Sequence, residues 1–517
     1  MISLDLLKPK KITVVLEDKT ETGVLANNRF EFDDVKVFLE PKESSINIYC
    51  DAQKSLIRHI YLYYDLDVNK DDLIYGDAFE RGYGDLSWSK VSEKQMFWYF
   101  FICNNDENSL FGCGCEVHPG SIVSFKIIGS ELRVDLNTCS GGQGVNLEGR
   151  RLCVASLLCK NYNNQDVFDS MKSFLSLLMG DTKMLSLKEN VYGFNNWYYA
   201  YGKSSYKEII NDSKLLSELT KGLKTRPFMV IDDGWSIYPT TGPWIPNDDF
   251  NDMKSLAKEI KSMNIKPGIW IRPLKDVGNG FKNERHPLNK DLLDPSSPEV
   301  KEFVSNEISK LVENGYELIK FDFITWDIFN LYGFEMNEEL TKRGWRYKEN
   351  HFTNAEIILD LYKTIREAAK DKVLIGCNAV PHFAAGLVEI NRIGDDTSGF
   401  EWERTRKYGV NSLAFRLIQN DVFYKIDADC VGIIGDKIDW PQNKQWLDLL
   451  SVSRSPLFVS CNPHLVTEEM KKDISNAFKV NEKQINMLKP LSWFREITPS
   501  EWLVDGKTRK YNWYFIK

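Results

Sequence analysis

Aspartates follow three apolar stretches of the sequence, at points where buried strands are expected to end. The stretch MVIDDGW carries Asp232 and Asp233, LIKFDF carries Asp322, and NRIGDDTS carries Asp395 and Asp396. Two carboxyl groups that face each other can cleave a glycosidic bond, because one attacks the anomeric carbon while the other protonates the leaving oxygen and then activates water. These residue types therefore indicate nucleophilic and acid/base chemistry on a glycoside.

The two carboxyl groups of such a pair need different pKa values. Lys320 lies two residues before Asp322, on the same side of a strand, and its positive charge is expected to keep Asp322 ionised as a nucleophile. Asp395 and Asp396 resist joint ionisation because their charges repel, so either of them can stay protonated and act as the acid. Arg392, just before this pair, works against that protonation.

Each of these pieces also has a structural interpretation. A single aspartate after a strand is commonly a helix N-cap, and Asp-Asp-Gly is common in turns. Asp427 and Asp429, in the stretch KIDADC, are interpreted as structural carboxylates. Three acidic strand ends in the predicted order, one of them with a lysine two residues before its aspartate, favour a shared site over unrelated caps and turns.

Three tryptophans stand at or just beyond predicted strand ends. Trp197, Trp235 and Trp270 occupy such positions. The apolar face of a pyranose packs on an aromatic ring while its hydroxyls bind polar groups, so these residues are candidates for a sugar site. The alternative is that they belong to the core or the rim of the domain.

The elements that must position these residues are eight strands that alternate with amphipathic helices. This alternation predicts βα units around a parallel sheet, and eight units predict a (β/α)₈ barrel whose active face lies at the carboxyl ends of the strands. The predicted strands are 192–199, 228–232, 267–271, 318–323, 373–377, 391–395, 422–426 and 457–460. Predicted helices between them are 252–263, 298–314, 354–370 and 440–452.

The barrel is predicted to cover residues 186–474, between two β-rich regions. Short β-type segments over 1–185 predict an N-terminal antiparallel sandwich, and 475–517 predicts a small C-terminal β domain with a hairpin at Asp505-Gly506. A Gly-rich, aromatic loop at 75–90 is predicted to reach the barrel mouth, with Trp88 as its contact to the sugar. The alternative is a loop that packs only on its own domain.

Composition excludes several classes of protein. Hydrophobic residues make up 43% and charged residues 27%, as in ordinary globular proteins, and the net charge of -8 argues against a nucleic-acid or anionic-membrane partner. No apolar run is long enough for a signal peptide or a membrane span, which favours a cytoplasmic location. The ten scattered cysteines are expected to be reduced, no metal site is expected at Cys113-Gly-Cys115, and homo-oligomerisation is left open.

Beyond these arguments, the chain resembles glycoside hydrolase family 36, the α-galactosidases of the melibiase group, from about residue 197 to residue 430. The resemblance is carried by VIDDGW, IKPGIWIRP, LIKFDF and the block from Cys377 through RIGDDT to DADC. The family has a Cys after strand five, an Arg fifteen residues later and the acid/base Asp four residues beyond. Cys377, Arg392 and Asp396 match this spacing.

The resemblance implies a retaining hydrolysis of terminal α-galactosides through a glycosyl-enzyme intermediate, without cofactor or metal. It implies Asp322 as nucleophile and Asp396 as acid/base. It further implies that Asp232 and Asp233 bind the galactose 4- and 6-hydroxyls. Lys320, Cys377 and Arg392 match positions that line the same pocket.

The sequence departs from the family pattern at two places. Asp395 stands where the family commonly has Pro, which keeps it as a neighbouring candidate for the acid/base. Asn378-Ala379-Val380 stands where Gly-Ser-Pro is common, in the region expected to read the substituent at carbon 2. An α-N-acetylgalactosaminidase, a related α-glycosidase or a transglycosylase therefore remain alternatives. A catalytically inactive carbohydrate-binding protein is a further alternative, against which both catalytic aspartates argue.

Overall fold

The computed structural model describes residues 2, 4–69, 71–106, 108–435, 437–483, 485 and 487–514. Within that part of the chain, fourteen strands form one antiparallel sheet in the N-terminal region. They are β1 Lys11–Leu16, β2 Thr20–Gly23, β3 Arg29–Phe32, β4 Val35–Pro41, β5 Ile46–Asp51, β6 Leu56–Asp65, β7 Leu73–Asp77, β8 Ser89–Lys90, β9 Phe97–Asp106, β10 Ser109–Cys115, β11 Ile122–Ile128, β12 Glu131–Asn137, β13 Val145–Asn146 and β14 Leu152–Asn163.

Alternation of apolar and polar residues folds this region as a sheet with a buried interior. In β4, Val35, Val37 and Leu39 are buried while the residues between them are more accessible. Such a period of two places one side of the strand in a core that it shares with other strands of the sheet. The predicted antiparallel β architecture before the barrel is confirmed.

Nine parallel strands of the described chain form the second sheet. They are β15 Tyr192–Asn195, β16 Phe228–Ile231, β17 Lys266–Ile271, β20 Leu318–Phe321, β21 Val373–Gly376, β22 Ile390–Arg392, β23 Lys425–Asp427, β24 Cys430–Ile433 and β25 Leu457–Cys461. A separate two-stranded ribbon, β18 Arg285–His286 and β19 Asn289–Leu293, lies between β17 and β20 in the chain.

Strand seven of the barrel is interrupted, and this accounts for nine strands in place of eight. Its first half, β23, pairs with β22, and its second half, β24, pairs with β25, which pairs in turn with β15. Only Ala428 and Asp429 separate the halves, and Asp429 has a φ of 75°. The sheet therefore closes into the predicted (β/α)₈ barrel.

Helices follow the barrel strands, and several begin at capping residues. Asn354–Ala369 starts at Thr353, whose hydroxyl accepts from the Glu356 amide while the Glu356 carboxylate accepts from the Thr353 amide. The helices are α1 Val167–Leu178, α2 Trp197–Ala200, α3 Tyr206–Leu219, α4 Met253–Ser262, α5 Pro298–Glu313, α6 Ile324–Phe329, α7 Asn354–Ala369, α8 Pro381–Ala384, α9 Trp402–Arg404, α10 Ser412–Arg416, α11 Trp440–Val452 and α12 Glu468–Glu482. None of the helices described here is both long and apolar enough to cross a membrane.

A three-stranded antiparallel sheet ends the described chain. Its strands are β26 Leu488–Pro490, β27 Glu501–Val504 and β28 Lys507–Lys510. The last two form the predicted hairpin, and Asp505 and Gly506 at its turn both have positive φ, as a type I′ turn requires. The domain boundaries at residues 185 and 474 remain predictions.

Most predicted strands begin close to the observed ones, and five of the eight run too far at their carboxyl ends. The stretch predicted as 192–199 ends at Asn195, because Asn196 and the short helix α2 follow. Strand seven was placed at 422–426, whereas the structure begins it at Lys425 and continues it after the break. Polar strand ends carry little periodicity, so these boundaries were the weakest part of the prediction.

Candidate active site

The aspartates of the three acidic stretches lie at the carboxyl-terminal face of the barrel. Asp232 directly follows β16, Asp322 directly follows β20, and Asp396 lies four residues beyond the end of β22. Lys320, inside β20, connects two of these strand ends, because its Nζ donates to Oδ2 of Asp232 at 2.9 Å. The structure thus gathers the predicted acidic residues at one end of the barrel.

Asp322 is buried and held by two neutral donors. The indole Nε1 of Trp270 donates to its Oδ2 at 3.1 Å, and the backbone amide of Phe323 donates to its Oδ1 at 2.7 Å. Trp270 lies opposite Lys320 in the register between β17 and β20, which brings its ring to this strand end. These two bonds fix the direction of the carboxylate without neutralising its charge.

Lys320 forms its ion pair with Asp232 and not with Asp322 as predicted. The sequence placed it beside Asp322, whereas its hydrogen-bonded ion pair is with Asp232, which also accepts from Asn195 at 2.7 Å. Burial lowers the pKa of Lys320, but Asp232, Cys377 and Asp322 raise it further, so the net pKa lies well above its usual value. Lys320 therefore stays charged, and Asp322 lies within the range of that charge.

Asp233 has an environment that favours its protonated form. Burial, the largest effect, and the neighbouring Asp232 and Asp322 raise the pKa of Asp233 to about 6, although the Thr240 amide opposes the shift. That amide donates to Oδ1 of Asp233 at 2.9 Å. The Asp232-Asp233 pair thus combines one carboxylate paired with a lysine and one that titrates near neutral pH.

Asp396 is surrounded by cations. Its Oδ1 accepts from Nη2 of Arg392 at 3.1 Å and lies 3.6 Å from Nη1 of Arg81. Burial raises the pKa of Asp396, but Arg392, Arg81 and Lys320 lower it by a larger amount, so the net pKa is below its usual value. The side chain is still partly accessible, with 36% of its surface exposed.

Asp395 is bound differently from its neighbour. It forms an ion pair with Nη2 of Arg81 at 2.7 Å, and its second oxygen lies 3.5 Å from Arg404. Burial raises the pKa of Asp395 despite Arg81, and the adjacent Asp396 raises it further. The two neighbouring carboxylates are therefore shifted in opposite directions, with the lower pKa at Asp396.

Arg81 belongs to the loop 75–90 and was missed as a site residue. The loop enters the site through Gly82, which bridges to Gly394, and only a glycine fits there because a Cβ would lie 2.7 Å from the Ser412 hydroxyl. The sequence predicted that this loop reaches the barrel mouth, but with Trp88 as the contacting residue. The charge of Arg81 inside a Gly-rich, aromatic loop was the available signal.

Trp88 lies in a buried aromatic cluster and not among the side chains described around the aspartates. Its ring centroid lies 5.6 Å from that of Tyr75, 5.6 Å from Trp493 and 5.0 Å from Phe494. The proposed contact between Trp88 and the substrate is therefore corrected: this side chain joins the loop to the C-terminal region, and Arg81 reaches the carboxylates.

Asn378 is also tied to the N-terminal loop. It has a φ of 52° and is buried, and its Nδ2 donates to both oxygens of Glu80 at 3.2 Å. Glu80 also accepts from the backbone amide of Gly333 at 2.9 Å and from the hydroxyl of Tyr83. Glu80 thus joins three loops around the pocket, and the amide of Asn378 is already engaged.

Arg392 is fixed by Asp429, one of the two aspartates interpreted as structural. Nη2 of Arg392 lies 2.5 Å from Oδ2 of Asp429, which also accepts from the Thr397 amide and from the hydroxyl of Tyr198. Asp429 therefore supports the cation that binds Asp396.

Cys377, predicted to line the same pocket, is fully buried, and burial and Asp322 raise the pKa of its thiol well above the usual value.

The three tryptophans occupy different depths. Trp270 contacts Asp322 directly, whereas Trp235 lies one layer deeper and donates from Nε1 to the Trp270 carbonyl at 2.9 Å. Trp197 is half-buried at the rim, with its ring 5.1 Å from that of Tyr201. Of the three, Trp270 is the one in contact with a carboxylate of the site, and Trp235 fits the core interpretation.

Comparison with known proteins finds α-galactosidases. No protein-family model matches the chain. The α-galactosidase AgaA of Geobacillus stearothermophilus is 24% identical over 171 residues, which cover 29% of this chain and only 21% of that protein. The match therefore spans about a fifth of the relative's length.

The structural likeness is much longer than the sequence match. The structure of TtGalA, an α-galactosidase from Thermus thermophilus in complex with p-nitrophenyl α-D-galactopyranoside, matches with a TM-score of 0.61 over 93% of this chain and 98% of its own, at 14% identity. A GH36 AgaA variant in complex with raffinose matches with a TM-score of 0.62 over 95% of this chain and 79% of its own, at 13% identity. The chain thus has the fold of the α-galactosidases of glycoside hydrolase family 36, as its motifs predicted.

Proposed function

We propose that the chain is a retaining exo-glycosidase that hydrolyses terminal α-galactosides, with Asp322 as nucleophile and Asp396 as acid/base. The observation that carries this proposal is the contrast between the two carboxylates at one end of the barrel. Asp322 is oriented by neutral N–H groups, whereas Asp396 is bound by guanidinium groups. The neutral donors orient Asp322 without an ion pair that would compete with its attack, and the cations around Asp396 stabilise the carboxylate that forms when it gives up its proton. The same cations lower the pKa of Asp396, which disfavours its protonated form before the first step.

In the first step, an oxygen of Asp322 attacks the anomeric carbon while the bond to the leaving oxygen breaks. Asp396 gives its proton to that oxygen, so the aglycone leaves as an alcohol. In the second step, the ionised Asp396 takes a proton from water, and the resulting hydroxide attacks the anomeric carbon and releases Asp322. Two inversions give net retention of configuration.

The contacts of Asp322 suit this sequence of steps. Trp270 and the Phe323 amide aim the carboxylate, and both can remain bonded to it while one oxygen forms the ester to the sugar. Orientation of this kind lowers the barrier because the reacting atoms are already close to their attack geometry.

The pair Asp232 and Asp233, together with Lys320, is the proposed binding site for the galactose 4- and 6-hydroxyls. Buried carboxylates accept hydrogen bonds from hydroxyls, and Lys320 can donate to a hydroxyl oxygen while it stays paired with Asp232. Because these groups are buried at the strand ends, they suit the terminal sugar of a chain, which gives exo-action.

A screen of nitrophenyl α-glycosides of galactose, N-acetylgalactosamine, arabinopyranose and glucose tests the proposal. We expect turnover on the α-galactoside, with the α-anomer of galactose as the first product seen by NMR. The Asp322→Asn variant serves as the control for contaminating activity. A β-anomer as first product, or binding of galactose without turnover by the parent protein, contradicts the proposal.

The screen also separates the nearest alternative. An α-N-acetylgalactosaminidase differs by accepting an N-acetyl group at carbon 2, in the region where Asn378 replaces the residue common in the family. Preference for the N-acetylgalactosaminide would support that alternative, and it would leave the roles of Asp322 and Asp396 unchanged. Transfer of galactose to added sugars in place of water would indicate a transglycosylase.

A further inference from the structure

The N-terminal region contributes a charged group to the barrel site. Arg81, which is largely buried, binds Asp395 at 2.7 Å and lies 3.6 Å from Asp396. Its position is fixed, because the next residue, Gly82, bridges to Gly394 and its amide donates to the Ile393 carbonyl at 2.7 Å. The same guanidinium thus contacts the proposed acid/base and the carboxylate beside it.

Several charged or titratable groups from different elements face Asp396. The barrel contributes Arg392 on β22, Lys320 on β20, and Tyr198 and Tyr201 at α2. The loop after β22 contributes Asp395 and Arg404, and the N-terminal region contributes Arg81. Arg392 is itself paired with Asp429 and is fully buried, so it is a fixed part of the barrel. Arg81 and Asp395 are the two groups that bind each other next to the acid/base.

Resting on the proposed function, we propose that Arg81 and Asp395 form a pair of positioning residues through which the N-terminal region sets the proton affinity of Asp396. Arg81 favours the ionised carboxylate. Asp395 opposes this effect of Arg81 in two ways. Its own negative charge favours protonation of Asp396, and its ion pair at 2.7 Å keeps the Arg81 guanidinium 3.6 Å from Asp396.

The pair matters at the moment of proton transfer. When the proton of Asp396 moves to the leaving oxygen, Asp396 regains its negative charge, and Arg81 and Arg392 stabilise that charge. The same cations make it harder for Asp396 to be protonated beforehand. Asp395 therefore opposes part of the effect of these cations on the pKa of Asp396, while Arg81 helps the proton leave.

The test is the pH dependence of kcat/KM for an unactivated α-galactosyl disaccharide, whose leaving group needs the proton of Asp396. The limb of Asp396 is identified as the one lost in Asp396→Ala. Arg81→Met should raise the pKa of that limb, and Asp395→Asn should lower it, each by about one unit, as expected for the loss of a charge within about 4–6 Å. The double variant should lie between the two, and Arg81→Lys should lie nearer the parent protein than Arg81→Met. A purely structural role would not shift one limb in opposite directions.

Lys90→Met provides the control, because Lys90 is an exposed lysine of the same loop that pairs with Asp71 at 2.9 Å. The pH profile of kcat/KM for Lys90→Met should have the same pKa values as that of the parent protein. Shifts of the same sign in both site variants, or no shift in either, would overturn the inference while leaving the hydrolase proposal intact. Absence of galactosidase activity in the parent protein would instead overturn the proposed function.

Discussion

At the scale of single residues, the two proposed catalytic carboxylates should fail in different ways. Asp322→Asn should abolish turnover on every substrate, because no leaving group replaces a missing nucleophile. Kinetics on aryl galactosides and on an unactivated disaccharide would check this. Activity of Asp322→Asn on any of them, above that of a buffer blank, would remove Asp322 from its proposed role.

Asp396→Ala should keep part of its activity on activated substrates. Aryl leaving groups need little protonation, so the first step survives, and azide should rescue the second step by replacing the water that lacks a base. The product would be an α-galactosyl azide, which NMR identifies. If Asp395→Ala shows azide rescue and Asp396→Ala does not, the roles of these neighbours are reversed.

Asp233 should give the enzyme an acid limb close to pH 6. Its pKa is raised to about 6 by burial and by Asp232, so it is ionised above that pH and becomes protonated as the pH falls through it. A protonated Asp233 accepts fewer hydrogen bonds from the sugar, so KM should rise below about pH 6. Asp233→Asn should have a high KM that no longer changes across this range.

The exposed Asp248→Asn is the matched control for this prediction, because it removes a carboxylate outside the site in the loop that follows. Its KM should keep the acid limb of the parent protein. If the limb persists unchanged in Asp233→Asn, another group causes it, and the ionised state of Asp233 does not govern binding.

At the scale of elements, Glu80 should control the shape of the pocket without taking part in the reaction. Glu80→Ala leaves the buried side-chain amide of Asn378 without its acceptor, which costs about 1–3 kcal/mol, and removes the acceptor of the partly buried Gly333 amide. We expect a lower melting temperature and a larger rise in KM than loss in kcat, because the three loops would separate. The exposed Glu93→Ala should change neither, and a loss confined to kcat would contradict the prediction.

The sequence predicted the elements of the barrel well, because each strand is apolar and each helix has a clear period. It also predicted the strand ends that carry the aspartates. It did not predict which charges pair there: Lys320 lies on the same strand as Asp322 but binds Asp232 on β16. Local spacing shows which residues share a face, and only the packed barrel decides which neighbour is nearest.

The break in strand seven was equally hidden from the sequence. Asp427 and Asp429 interrupt the apolar run, so the stretch looked like a strand end followed by a loop. Arg81 was hidden for a different reason, since more than three hundred residues separate it from the carboxylates that it binds. No periodicity within one element reports such a contact.

At the scale of the whole molecule, the N-terminal sheet and the barrel should unfold together. A shared apolar core runs across both, and at its edge Asp77 at the end of β7 binds Arg416 of α10 at 2.7 Å, with both side chains fully buried. Asp77→Asn leaves the Arg416 charge buried and unpaired, which costs roughly 3–5 kcal/mol. Calorimetry should show one transition, shifted to lower temperature.

The exposed pair of Asp71 and Lys90 on the same sheet is the control. Asp71→Asn should cost under about 1 kcal/mol, because water screens an exposed pair. Two separate transitions in Asp77→Asn, with the barrel transition unmoved, would show that the sheet and the barrel are independent units.

The interrupted strand seven leaves a gap in the hydrogen bonding around the described barrel between β23 and β24, called here the seam. Among the described strands, β23 bonds only to β22 and β24 only to β25, so each half of strand seven has one partner where the other barrel strands have two. Amide hydrogens there should exchange with solvent earlier than those of β16 or β20, since local opening breaks fewer bonds. Asp429 lies at this seam and holds Arg392. Opening of the seam would therefore release Asp396, the proposed acid/base, from Arg392 before the rest of the barrel loosens. We expect activity to be lost on heating before the fold is.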